Sequence, residues 1–391
     1  MEIDESIANY IRFMKFRMSW YGDYDWMGNN AFGWLLRSYL RVRGALMGVA
    51  WVIICISLYQ VESYGLFDGT FVYAPLTLLL TALSISASSA GSKQHSLTWS
   101  LNECFLTHTD QWMLDIRDSI IKPLWKWIMF YINYNITIVF TYSVVPVVLD
   151  IVLHYGFDMY PEHVILPMPF SQLIKDKCSW DANYYAVTVL NLWLLSELVC
   201  ILQGFLVNYG SLAVFYLTEL RIFNGKIKLL ELSGPQNEID NQLQHIISCH
   251  NVLIKLNLDL KAAFGLPCAF QALFTSMTMT LVLFTMMINR NVLLLVGYGS
   301  GLVFYFLSAL VYCFIGQLLE TQSEEIEWAL YDLPWYKFRP AVRRDLLMLM
   351  RQARSPLIID YRGKSKMNLD TFMQIIRSAY SYFTLLQSMI E

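Results

Sequence analysis

Residues 368–391 read NLDTFMQIIRSAYSYFTLLQSMIE, and the number of membrane crossings turns on them. A span needs about 20 mostly apolar residues. This stretch is long enough, yet it carries Asp370, Gln374, Arg377, Gln387 and three serines. If it crosses, the chain has seven spans and its termini lie on opposite sides.

The rest of the chain makes a bilayer the natural setting. Of 391 residues, 56% are apolar and 15% charged, against about 25% charged in ordinary soluble domains. The 24 Tyr and 12 Trp suit the two interfaces of a membrane. Six apolar runs have spanning length, at residues 42–60, 72–91, 128–153, 186–216, 263–288 and 292–316, and residues 367–390 form the ambiguous seventh. Residues 1–10, with Glu2, Asp4 and Glu5, lack the pattern of a secretory signal, so the first span is expected to insert the chain. The seven cysteines form no CxxC pair, and Cys178 has no partner in another outer segment.

Basic residues set the orientation, because Lys and Arg are retained on the cytoplasmic face. Of the 28 Lys and Arg, 24 fall in the N-terminal segment through Arg43 and in the connections after the second, fourth and sixth spans. Only 3 fall in the alternate connections, and Arg377 lies within the seventh segment. The expected fold is an all-α membrane protein of seven transmembrane helices, N-terminus cytoplasmic and C-terminus extracellular. A G-protein-coupled receptor has the reverse orientation; no DRY-like triplet follows the third span and no NPxxY closes the seventh. No nucleophile, base and oxyanion donor declare themselves, so nothing points to an enzyme or a cofactor, nor does the chain read as a partner for nucleic acid.

The single membrane domain, residues 1–391, divides by topology into a cytoplasmic segment 1–41, cytoplasmic helical regions 217–262 and 317–366, and the last helix 367–390. In the first of these regions, residues 219–232 extend the fourth span as charged helix until Gly234-Pro235 breaks it. Ile239, Leu243, Ile246, His250, Leu253, Asn257 and Leu260 then recur at steps of 3 and 4, a helical seam. In the second, SEEIEWALY precedes Pro334 and Pro340, and AVRRDLLMLMRQAR forms an amphipathic basic helix with Leu346, Leu347 and Met350 inward. Such a helix suits either anionic headgroups or a neighbouring subunit. The outer loop PEHVILPMPF, residues 161–170, is too rich in proline for one helix and reads as a lid.

Several short patterns admit a plainer reading. VGYGSG at residues 296–301 echoes a potassium filter but lies inside an apolar span; Gly297 and Gly301 fit close helix approach better. His245, Cys249 and His250 have ligand chemistry, yet the seam accounts for His250 and no fourth ligand is at hand. The sequon Asn135-Ile136-Thr137 is buried in the third span.

In the last segment, Gln374, Ser378, Ser381, Leu385 and Ser388 are spaced 4, 3, 4 and 3, one stripe of a helix. The adjoining faces hold Ile375, Ile376, Ala379, Phe383, Leu386 and Ile390. Polar groups at membrane depth face a water-filled cavity or a bundle interior. One chain offers one such stripe, so enclosing water takes several copies about an axis. The alternative is a polar seam within a monomer.

The ending SAYSYFTLLQS, with Ser381-Tyr382 and Gln387, and the block GQLLETQSEEIEWALYDLPWYKF, with Tyr331 and Trp335, resemble the insect odorant receptor family and its gustatory relatives. Ser381 and Ser388 depart from the Thr and Phe that bracket the gustatory motif, which favours the odorant branch. The fourth-to-fifth connection lacks the long insertion of the co-receptor, so the chain resembles an odour-specific subunit. The resemblance implies an odorant-gated, non-selective cation channel, a heterotetramer with the co-receptor in the plasma membrane of a sensory dendrite, needing no G protein. It implies a pore lined by the last helix, with a gate at Leu385 and Met389 beside Gln387 and Ser388.

It also implies a ligand pocket in the outer half of the bundle. Given the topology, the outer halves supply Tyr73, Thr77, Phe140, Ser143, Val147, Trp193, Glu197, Tyr298, Leu302 and Tyr305. A small volatile organic molecule suits an apolar cavity with few polar groups. Glu197 stands out, since an acid in a span is costly unless partnered by water, a tyrosine hydroxyl or the ligand. A gustatory-type channel subunit is one rival reading. A secondary transporter is another, though it would show internal repeats with broken helices, and no self-similar halves appear. A non-conducting scaffold leaves the stripe unexplained.

Overall fold

The computed structural model describes residues 31–60, 70–108, 110–139, 182–230, 236–289, 292–363 and 365–389, with positions 148, 152 and 170 singly. Helices make up almost all of it: α1 (Ala31–Gln60), α2 (Tyr73–Thr107), α3 (Gln111–Val139), α4 (Ala182–Lys228), α5 (Gln236–Ile288), α6 (Val292–Tyr331), α7 (Pro340–Ala353) and α8 (Leu369–Ser388). Four of the described helices hold an apolar stretch of membrane-crossing length, within Ser38–Tyr59, Ala182–Lys228, Asn237–Ile288 and Leu295–Tyr331; Tyr73–Ala87 is a shorter one. Of the expected third span, residues 140–147 lie outside the described residues.

The helices are far longer than a bilayer requires. At about 1.5 Å per residue, α4 runs roughly 70 Å and α5 roughly 80 Å, against a hydrocarbon core of about 30 Å. The cytoplasmic extensions are therefore continuous with their spans. Residues 321–331, which hold SEEIEWALY, are the end of α6, and the charged extension expected to reach residue 232 ends as helix at Lys228.

Why α4 sits at the centre follows from its middle, where residues 201–214 are all buried. A helix apolar all round can only be surrounded. Its tyrosines satisfy their hydroxyls inside: Tyr209 donates to the Tyr312 carbonyl at 3.1 Å and Tyr216 to the Leu253 carbonyl at 3.2 Å. The seam read on α5 is the buried face of that helix, from Ile239 through Leu260. His250 belongs to it, stacked on Phe223 with ring centroids 5.6 Å apart. Burial holds this imidazole below its ordinary pKa.

Two expectations need correction. The apolar stripe of α7 is Val342, Leu346, Leu349 and Ala353, while Leu347 is exposed. That stripe packs on α6 and α5 of the same chain, so it is not free to enter a bilayer. At Gly301 an added Cβ would meet nothing within 4 Å, so this glycine mediates no close approach among the described residues. Close approaches occur instead at Gly265 and Gly316, where a Cβ would fall 2.8 Å from the Asp360 carbonyl oxygen and 1.8 Å from that of Met367.

Both contacts fix the segment leading into α8. Asp360–Tyr361 pairs antiparallel with Ser365–Lys366, a small hairpin the sequence did not announce, turned by Arg362 and Gly363 at φ of 51° and 72°. Asp360 binds Lys261 of α5 at 2.7 Å. Burial works to raise the Asp360 carboxyl, but the Lys261 ammonium and the Gly363 N–H outweigh it and hold it below its usual pKa.

Candidate functional site

The ligand-pocket candidates separate into two places. Tyr73, at the start of α2, packs with Leu302 and Tyr305 of α6 against the main core, and Thr77 is fully buried one turn further on. Tyr298 belongs to a smaller apolar cluster with Val72 and Val282, and Leu302 touches both groups. Tyr131 of α3 stacks on Phe304 at 6.4 Å, and its hydroxyl lies 3.5 Å from Ser308. Tyr73, Tyr298, Leu302 and Tyr305 thus lie around Leu302 among apolar side chains. Phe140, Ser143 and Val147 lie outside the described residues.

Trp193 and Glu197 of α4 are committed elsewhere. Glu197 accepts a hydrogen bond from the Tyr39 hydroxyl and pairs with the Arg43 guanidinium at 3.8 Å, both from α1. Trp193 donates its indole N–H to Tyr39 Oη at 3.0 Å. Along α1, Gly48 faces Thr81 and Gly44 faces Ser84 and Ile85. Tyr39 and Arg43 precede them, on the cytoplasmic side of a point already about 18 Å along α2 from Tyr73. Glu197 therefore sits at the depth of the α1 entrance rather than among Tyr298 and Tyr305. The sequence flagged its need for a partner; it did not show that the partner was Tyr39 or Arg43, because nothing local links residues so far apart.

The last helix has two faces with different surroundings. Phe372, Ile375 and Ala379 are buried, with Ile376, Phe383 and Leu386 partly so, and this side lies on α5 and α6. Phe306 meets Phe372 edge-on at 5.3 Å, and the Thr280 hydroxyl donates to the Ala379 carbonyl at 3.1 Å, which fixes the rotation of the helix. Asn368 caps its start, accepting the Thr371 N–H at 3.1 Å while donating to Glu320 of α6 at 3.2 Å. On the opposite side, Gln374, Ser381, Leu385 and Ser388 are exposed and Ser378 is half-buried. Leu385 is 58% and Met389 76% exposed. Gln387 is half-buried and stands off the stripe. The chain thus turns its polar stripe away from its own bundle.

A family model for the 7tm odorant receptors matches residues 106–380. The chain belongs to that family. It is similar to Odorant receptor Or2 of Anopheles gambiae, 25% identical over 215 residues, which cover 52% of this chain and 56% of that one. It is also similar to Odorant receptor 47a of Drosophila melanogaster, 35% identical over 100 residues, 24% of this chain and 26% of that one. The aligned stretches thus span little more than half of one relative and about a quarter of the other. The fold matches the insect olfactory receptor OR5 from Machilis hrabei in complex with eugenol, with a TM-score of 0.79 at 14% identity over 99% of this chain and all of that one. The same receptor without that ligand matches at a TM-score of 0.72. The architecture is the seven-helix membrane fold of insect olfactory receptors, and this odorant receptor is a multi-pass membrane protein of a receptor family rather than an enzyme family.

Proposed function

We propose that this odorant receptor is a subunit of an odorant-gated, non-selective cation channel. A small volatile binds in the outer half of the bundle, and α8 lines a pore formed with co-receptor subunits in a heterotetramer at a sensory dendrite. The carrying observation is the outward stripe of α8, Gln374, Ser378, Ser381 and Ser388 interrupted by Leu385, on the side away from the chain's own core. Polar groups at that depth are tolerated against water, not lipid. Leu385 is the large apolar member, about 24 Å along the helix from Leu369, and a narrow apolar ring closes a path by dewetting. The small apolar cluster around Val72, Val282 and Tyr298 supports a ligand site for a volatile.

The test is to express the chain with and without a co-receptor subunit and record currents against a volatile panel. Leu385→Ser is expected to raise current in the absence of odorant, whereas Phe383→Ala, on the packing face, is expected to lower assembly. Cysteines at positions 378, 381, 385 and 388 should react with a water-soluble thiol reagent faster in odorant than without it. If a cysteine at 383 reacts as fast as one at 385, the helix does not line a pore.

A further inference from the structure

The outward stripe of α8 carries charge as well as hydroxyls. Arg377 lies one turn after Gln374, beside Ser378 and one turn before Ser381, and Asp370 precedes it by two turns on the same face. Both charged residues are exposed, and among the described residues neither is paired with an opposite charge in its own chain. Their depth is set by the helix start. Asn368 is tied to Glu320, and the Leu369 N–H is bonded to Gln317 at 3.3 Å. Those two α6 residues stand just past the end of the sixth apolar run. Asp370 is thus at the cytoplasmic margin, and Arg377 lies about 10 Å further in along the helix.

A guanidinium at that depth is costly against lipid and is accommodated where water reaches it. The packing of Phe372, Ile375 and Ala379, with the Thr280 bond to Ala379, prevents α8 from turning Arg377 inward. We propose that Arg377 places a fixed positive charge in the inner half of the conduction path and thereby disfavours divalent relative to monovalent cations. This rests on the reading of α8 as pore-lining. The repulsion grows with ion charge, so a calcium ion feels one unit more of it than a sodium ion. In a water-like medium at about 6 Å, that unit is worth a factor of about three.

Two measurements test the inference separately from the pore itself. In the receptor co-expressed with a co-receptor subunit, currents are evoked by the most effective volatile of a panel that includes eugenol, and reversal potentials are compared in sodium and calcium solutions. Arg377→Gln is expected to raise calcium permeability relative to sodium about threefold, and Arg377→Lys to leave it unchanged. The second readout needs no current. With a cysteine at Ser381, labelling by anionic and cationic methanethiosulfonates is followed by mass spectrometry in the full-length receptor. The anionic reagent should be favoured relative to its ratio on a free thiol, and Arg377→Gln should shift that ratio toward the cationic reagent. A cysteine at 381 inaccessible to both reagents would sink the pore reading and this inference with it. Ready labelling with no charge preference, or a calcium permeability unmoved by Arg377→Gln, would overturn the inference alone.

Discussion

Glu197 and Arg43 come from helices far apart in the chain and meet where neither side chain is appreciably open to solvent. The sequence marked Glu197 as an acid needing a partner, but periodicity reports only the face a residue occupies on its own helix. The partner is fixed by how α1 leans on α4, which no local pattern encodes. The physical cost lies in stranding one charge: removing one member of a buried pair costs roughly 3–5 kcal/mol, while replacing both with apolar groups is often neutral. Glu197→Ala is accordingly expected to lower surface expression and the thermal midpoint in detergent, and adding Arg43→Met should restore much of both. If the double variant is no better than the single one, the two side chains do not act as a pair. If Glu197→Gln leaves expression intact and reorders odorant sensitivity, the residue belongs to the ligand site.

At the scale of the element, amphipathic helices were the most legible parts of the chain. The faces of α8 and the seam of α5 follow from spacing alone, because one side of each must be dry. On α7 Leu346 and Met350 face inward as expected, but Leu347 is exposed while Val342 and Leu349 are buried, since the packing partner chooses among neighbouring apolar positions. The hairpin before α8 escaped notice because each strand is two residues long, too short for alternation to register. Glycine at 316 shows how that joint is held. Its missing Cβ leaves room for the Met367 carbonyl oxygen, a backbone atom that no rotamer change can move aside. Gly316→Ala should therefore push the start of α8 off α6 and reduce odorant-evoked current, with the ranking of odorants preserved because the ligand end of the bundle is untouched. Gly301→Ala, where an added Cβ meets nothing within 4 Å among the described residues, is the matched control and should leave current unchanged.

For the whole molecule, the sequence carried the membrane class and the seven-helix fold, because hydropathy is a property of composition, and its basic bias sets the expected sidedness. It also carried the run of α4 past its span, but not that α5 and α6 run on from theirs without interruption, and only the packed structure shows these extensions sharing one core with the spans. By the basic bias, the extensions holding Lys226, Lys228, Arg343, Arg344 and Arg351 belong on the same side as the N-terminal segment, since reversing the protein would carry 24 basic residues across the membrane. An epitope fused after Glu391 is therefore expected to bind antibody on intact cells, and one fused before Met1 only after permeabilisation. A third epitope, placed between Lys228 and Gln236 where α4 ends and α5 begins, should behave like the N-terminal one. Labelling of the internal epitope on intact cells would reverse the orientation. It would also put the Asp370 end of the α8 stripe outside and the Leu385 end inside.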